Sequence, residues 1–203
     1  METNQRARIR AGDPDAFGLL FEECARAVYN QAFRLTGSWP AAEEAVSLTF
    51  LEAWRLRQRV EPEGGSLRPW VLGISLNVTR NLTRAERRHK AAMDRLPPDR
   101  GMPDIADEVA GRVDDAARLE AVQAALGQLR RADREVLVLC VWSGLEYAAA
   151  AQVLGIPVGT VRSRLARARR KLQVMTDGEP RPAGEQVTGR TAVAARPTQR
   201  RTP

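Results

Sequence analysis

The residues of this chain best suited to chemistry are cations gathered near its C-terminal third. Between Val158 and Leu172 stand Arg162, Arg164, Arg167, Arg169, Arg170 and Lys171, with no acid among them. In the same stretch Val161, Leu165, Ala168 and Leu172 recur three or four residues apart, the spacing of one apolar stripe on a helix. Like charges crowded on one helix repel each other, and a polyanion relieves the repulsion. An arginine can fork onto a guanine edge, a serine can bond any base, and a small residue such as Ala166 lets the helix come close. The chemistry these types offer is recognition of nucleic acid.

Such a helix reads a duplex only if other elements hold it clear of the domain. Ahead of it, EYAAAAQVLG reads as a short helix, Glu146 to Leu154, closed by Gly155, and Pro157 restarts the chain. Two helices joined by a tight glycine turn place the second outward, its first turns toward base edges in the major groove. Two apolar patterns supply the support. Leu119, Val122, Leu126 and Leu129 form one, and Val136, Leu137, Leu139, Cys140 and Val141, closed by Gly144, form the other.

The N-terminal half also reads as helices, from Asp13 to Lys90. Asp13 and Pro14 make a start signal, Phe17, Leu20, Phe21, Val28, Ala32 and Leu35 recur near helical spacing, and Gly37 stops the run. A second helix starts near Pro40, with Val46, Phe50 and Trp54 four apart as a core stripe. VEPEGGS is a loop, and Trp70, Ile74, Val78 and Leu82 mark a third helix, its early part set off as a turn by Pro69 and its interior weakened at Gly73. The expected fold is all-α. Two small helical domains, 11–90 and 118–172, are joined by a flexible linker at 91–117 and followed by a disordered polar tail at 173–203.

Charge divides the chain as sharply as periodicity does. Ser66 to Lys90 holds six basic residues against one acid, whereas 91–117 holds seven acids against three arginines. The formal charge of the whole is +7, which suits a nucleic-acid partner. Cys24 and Cys140 lie far apart within apolar helical patterns, and His89 is the one histidine, set in a basic run. No metal, cofactor, nucleophile or catalytic pair is visible, so an enzyme is not expected. No stretch has the roughly 20 apolar residues of a membrane span, and a cytoplasmic protein without membrane insertion is expected.

These segments resemble a known family. GLEYAAAAQVLGIPVGTVRSRLARARRKL, with ALGQLRRADREVLVL before it, resembles region 4 of extracytoplasmic-function (ECF) sigma factors of the sigma-70 family. GDPDAFGLLFEECARAVYNQAFRLTG, AAEEAVSLTFLEAW and SLRPWVLGISLNVTRNLTRAERR resemble region 2 of the same family, in the right order. The resemblance implies an RNA polymerase sigma factor. Its partners would be core RNA polymerase, through the β′ and β subunits, promoter DNA, and in some members an anti-sigma factor. Region 4 would read the −35 duplex through Thr160, Arg162, Ser163, Arg164, Ala166 and Arg167. Region 2 would melt the −10 element, with Asn77, Arg80, Asn81 and Arg84 on its DNA-facing helix and Glu61 to Leu67 as its specificity loop. The polymerase surface would be Glu44, Ser47, Leu48, Leu51 and Glu52 on the second helix. The acidic linker takes the place of the family's domain connector. This chain has Ser47 and Leu48 where members usually carry Gln and an acid. That departure leaves a second reading open, a helix-turn-helix transcription regulator that no longer binds core polymerase.

Overall fold

The computed structural model describes residues 2–94 and 113–177, and every long element in them is a helix. The N-terminal domain contains α1 (Glu2–Ala11), α2 (Pro14–Thr36), α3 (Trp39–Leu56) and α4 (Arg68–Met93), with a single 3-10 turn at Arg57–Arg59. The C-terminal domain contains α5 (Val113–Gly127), α6 (Arg131–Leu137), α7 (Tyr147–Leu154) and α8 (Val158–Asp177).

Local chemistry sets most boundaries. The Asp13 carboxylate accepts from the amides of Asp15 and Ala16 at 2.9 and 3.2 Å and caps α2, with Pro14 in the first turn. Gly37 ends α2 at φ 75°, in the left-handed region, and donates its amide to the Phe33 carbonyl. Ser38 caps α3 through the Ala41 amide at 3.3 Å. Gly155 closes α7 at φ 65°, as the glycine signal predicts.

Several expectations need correction. α1 precedes the first helix read from the sequence; Ile9 alone anchors it, fully buried. Pro69 lies in the first turn of a continuous α4 rather than in a separate turn, because the first helical positions need no amide donor. Both α4 and α5 extend into the expected linker, and α8 runs to Asp177, five residues (173–177) into the expected tail. The remainder of the linker, 95–112, and of the tail, 178–203, lies outside the described residues. Phe21, Val122 and Val141 are exposed rather than core. After α6 the chain widens into a π-helical turn, Val138–Trp142, where the Ser143 amide reaches back to the Val138 carbonyl at 2.9 Å. That extra residue per turn rotates Val141 and Trp142 outward while Leu139 stays buried.

The two domains touch. Their buried residues form one continuous cluster from Ile9, Leu20 and Leu72 to Leu139, Ala151 and Leu165. Helix α4 packs on α7, and α2 on the π-helical turn. This explains why α4 buries Val71, Leu72, Ile74, Ser75, Leu76 and Thr79 rather than the single stripe of Trp70, Ile74, Val78 and Leu82. A helix covered from two sides buries two faces. Gly73 belongs to this contact: a Cβ there would stand 3.6 Å from the methyls of Val153 on α7.

Candidate nucleic-acid interface

On α8 the stripe of Val161, Leu165 and Ala168 is buried and Leu172 half-buried, as the spacing predicts. The burial turns the opposite face outward. Arg162, Ser163, Ala166 and Arg167 are exposed there, while Thr160 and Arg164 are half-buried at the edges of the stripe. All six predicted −35 residues therefore lie on one helix, four of them fully presented. The Thr160 amide donates to the Pro157 carbonyl at 2.9 Å, and the Ser163 hydroxyl donates to the Thr160 carbonyl at 3.0 Å. Arg162 lies over the Tyr147 ring, 6.0 Å from its centroid, so α7 aims one of the reading side chains. The Lys171 ammonium donates to the Gln128 carbonyl and ties the far end of α8 to α5.

The four candidates on α4 occupy one arc, but its two edges meet different neighbours. Asn77 and Asn81 line an open groove of about 580 Å³ between α3 and α4, together with Leu48, Leu51 and Glu52. Thus the groove brings predicted polymerase-binding and predicted −10 residues together. Glu44 and Ser47 are exposed beside it, Leu48 and Leu51 are exposed apolar side chains, and Glu52 is half-buried with Arg55 at 3.8 Å. Trp54 and Phe50 instead pack on Phe17, as expected of core.

Arg80 and Arg84 turn to the seam between the domains. There a small cavity of about 120 Å³ is walled by Arg80, Arg84, Arg87, Arg131 and Arg134 around one carboxylate, Glu135. Arg80 grips Glu135 with two bonds, Nε to Oε1 at 2.9 Å and Nη2 to Oε2 at 2.7 Å, and Arg131 adds a third to Oε1 at 2.9 Å. Glu135 is buried. Burial pushes its carboxyl up, but the bonds and charges of Arg80 and Arg131 outweigh burial and hold it below the ordinary carboxylate range. Burial pulls the neighbouring Arg134 guanidinium down, and its Nε has no hydrogen-bond partner. Asp133, two residues before Glu135 and also buried, lies 3.7 Å from Arg167 on α8.

Sequence reasoning missed this pairing of α6 acids with the two DNA-facing helices. RADREV shows the acids, but nothing local says that Glu135 meets α4. Three weaker contacts cross the same seam. Arg68 donates to the Ser143 carbonyl at 3.3 Å, Gln123 to the Phe33 carbonyl at 3.1 Å, and Arg34 lies 5.1 Å from the Trp142 ring centroid. Among the described residues no helix is long and apolar enough to cross a membrane.

A basic helix presented by a helix-turn-helix, joined to a second helical domain with its own cationic arc, defines a two-domain DNA-binding transcription protein. Comparison with known proteins narrows that class. Residues 20–89 match the family model for Sigma-70 region 2, and residues 119–172 that for Sigma-70, region 4. The RNA polymerase sigma factor CnrH of Cupriavidus metallidurans is 31% identical over 185 residues, covering 85% of this chain and 93% of that protein. The ECF RNA polymerase sigma factor SigE of Mycolicibacterium smegmatis is 34% identical over 76% of this chain, which spans 59% of that longer relative. The solved structure of CnrH in complex with the cytosolic domain of CnrY superposes with a TM-score of 0.69 at 27% identity, over 88% of this chain and 98% of that one. RpoE in complex with the anti-sigma factor NepR, from Bartonella quintana, gives 0.63 at 27% identity over 81% and 98%. The chain belongs to the ECF sigma factors of the sigma-70 family and is an RNA polymerase sigma factor acting in transcription initiation. The match over both regions does not favour a regulator that kept only the helix-turn-helix.

Proposed function

We propose that this sigma factor is a cytoplasmic, non-enzymatic subunit whose described conformation is the closed, resting one. Region 4 reads the −35 duplex with Arg162, Ser163, Ala166 and Arg167, flanked by Thr160 and Arg164. Region 2 engages the −10 strand with Asn77, Arg80, Asn81 and Arg84. Core polymerase docks on Glu44, Ser47, Leu48, Leu51 and Glu52, beside the groove that also holds Asn77 and Asn81. The domains extend over 11–90 and 118–172, with the connector between them.

The observation that carries the reading is the bidentate pair of Arg80 with Glu135. An arginine cannot serve a DNA phosphate while a buried carboxylate holds both arms of its fork. Engagement of the −10 strand therefore requires the seam to open. The seam suits that task because it is largely polar, and single hydrogen bonds contribute only about 1 kcal/mol net each. A protein partner that binds across both domains would hold the closed form, and relatives of this fold are known in complex with anti-sigma proteins.

The test combines gel filtration of the chain with core polymerase and transcription from a pool of promoter fragments. A complex that starts transcripts at a discrete promoter set supports the proposal, and an Arg80→Glu, Glu135→Arg exchange should keep the closed form while abolishing −10 melting. Duplex binding without any polymerase complex would reject it.

A further inference from the structure

The N-terminal helix does something that neither the charge pattern nor the proposed division of labour calls for. Arg6 and Arg10 lie one helical turn apart on α1, on one face. Arg6 donates from Nε to the Gly65 carbonyl at 2.7 Å and from Nη1 to the carbonyls of Glu61 and Glu63 at 2.8 and 3.2 Å. Arg10 donates to the Val60 carbonyl at 2.9 Å. Two guanidinium groups thus hold four backbone carbonyls of one exposed loop. Few other restraints on that loop are present: its residues 61–66 are all exposed, and its ends are pinned by buried Val60 and Leu67.

The rest of the region is built around this grip. Ile9, on the same helix, is fully buried in the domain core and fixes where α1 sits. Arg8 pairs with Asp13 at 2.6 Å, and Asp13 in turn caps α2, so α1 is tied at its far end. Gly64 adopts φ 130°, a conformation that side chains rarely take, and a Cβ there would stand 3.1 Å from the Arg6 guanidinium carbon. The loop backbone and Arg6 are fitted closely enough that only glycine leaves the guanidinium its place.

From this geometry we infer that Arg6 and Arg10 are positioning residues that set the conformation of loop 61–66 and, through it, which −10 base region 2 accepts. The second half of the inference rests on the reading of this loop as the −10 specificity loop; the first half does not. Arginine suits the role because its planar fork reaches several carbonyls at once, whereas a lysine offers one compact charge. Neither arginine needs to touch DNA.

The experiment uses the full chain and its holoenzyme. Wild type, Arg6→Met/Arg10→Met, Arg6→Lys and Gly64→Ala are compared for hydrogen exchange at the amides of 61–66, for thermal midpoint, and for transcription from a promoter library randomised in the −10 element. Removing the donors should leave the midpoint and −35 duplex binding near wild type, speed exchange in the loop, and reduce base discrimination by about tenfold, the scale of one misread base pair. Arg6→Lys should fall between, and Gly64→Ala should reproduce the loss with Arg6 intact. Unchanged loop exchange in the double variant overturns the grip, and faster exchange with unchanged base preference overturns its role in selectivity. Should the double variant fail to fold, Gly64→Ala and Arg6→Lys decide by the same two readouts. A fifth protein, with 61–66 replaced by a Gly-Ser segment, separates the two ideas: if it keeps the wild-type −10 preference, the loop is not the reader, and the grip is judged on exchange alone.

Discussion

Helices α4 and α8 carry comparable cationic arcs yet stand in opposite situations. Helix α8 shows its arc to solvent. Among the described residues Arg162, Arg164, Arg169 and Arg170 have no ion-pair partner, and Arg167 has only Asp133 at 3.7 Å. Helix α4 turns half of its arc into the seam, where Arg80 is bound bidentately to Glu135. The difference teaches that a promoter-reading protein can leave one DNA surface open while a few polar contacts withhold the other. Duplex recognition is then available in the closed form, and strand capture waits for opening.

The largest expected effect is on the withheld side. Glu135→Ala leaves Arg80 and Arg131 without their acid and should cost about 3 kcal/mol, the lower end for a broken buried pair, measured by urea denaturation. The same change should raise affinity for single-stranded −10 oligonucleotides while −35 duplex binding stays at wild type. An unchanged −10 affinity would break the comparison. On the open side, Arg162→Ala with Arg167→Ala should weaken the −35 duplex by about a hundredfold and flatten the salt slope by about two, with little change in stability. Fluorescence anisotropy over a salt series reads both.

A smaller effect follows from acidity. The Glu135 carboxyl lies lower in the folded chain than its ordinary range near pH 4. The ionised form is the one that folding favours, so its contribution is complete above that range and disappears as pH falls through the folded value. Denaturation midpoints should decline at acid pH in wild type and decline less in Glu135→Gln. Gly73→Ala is the mildest change. It removes a helix-interior glycine and sets a methyl at ordinary contact distance from Val153, so a gain of about 0.5–1 kcal/mol is expected, with tighter closure of the seam. A loss in thermal midpoint would show that α4 and α7 pack closer than this geometry allows.

Much of the fold was legible because it rests on local chemistry. Asp13, Gly37, Ser38 and Gly155 act within a few residues of themselves, and the stripe of Val161, Leu165 and Ala168 repeats with the helix. So did the likeness to regions 2 and 4, since those motifs are contiguous. What escaped was non-local or weakly patterned. Helix α1 carries a single buried apolar side chain, Ile9, so periodicity had nothing to detect. The π-helical turn displaced Val141 from a core that its spacing implied. Arg80 was legible as a cation on the right helix, but its engagement with Glu135 spans 55 positions of chain.

The sequence by itself determined that this is a basic, two-domain helical protein with a helix-turn-helix and the regions of a sigma factor. Composition, capping and periodicity act along the chain and are written in it. Only the tertiary structure decided which cations face outward, which carbonyls Arg6 and Arg10 hold, and that the α4 arc is divided between a groove and a seam. Those outcomes depend on which surfaces meet, and a linear pattern records the charges available without recording which acid each of them will meet.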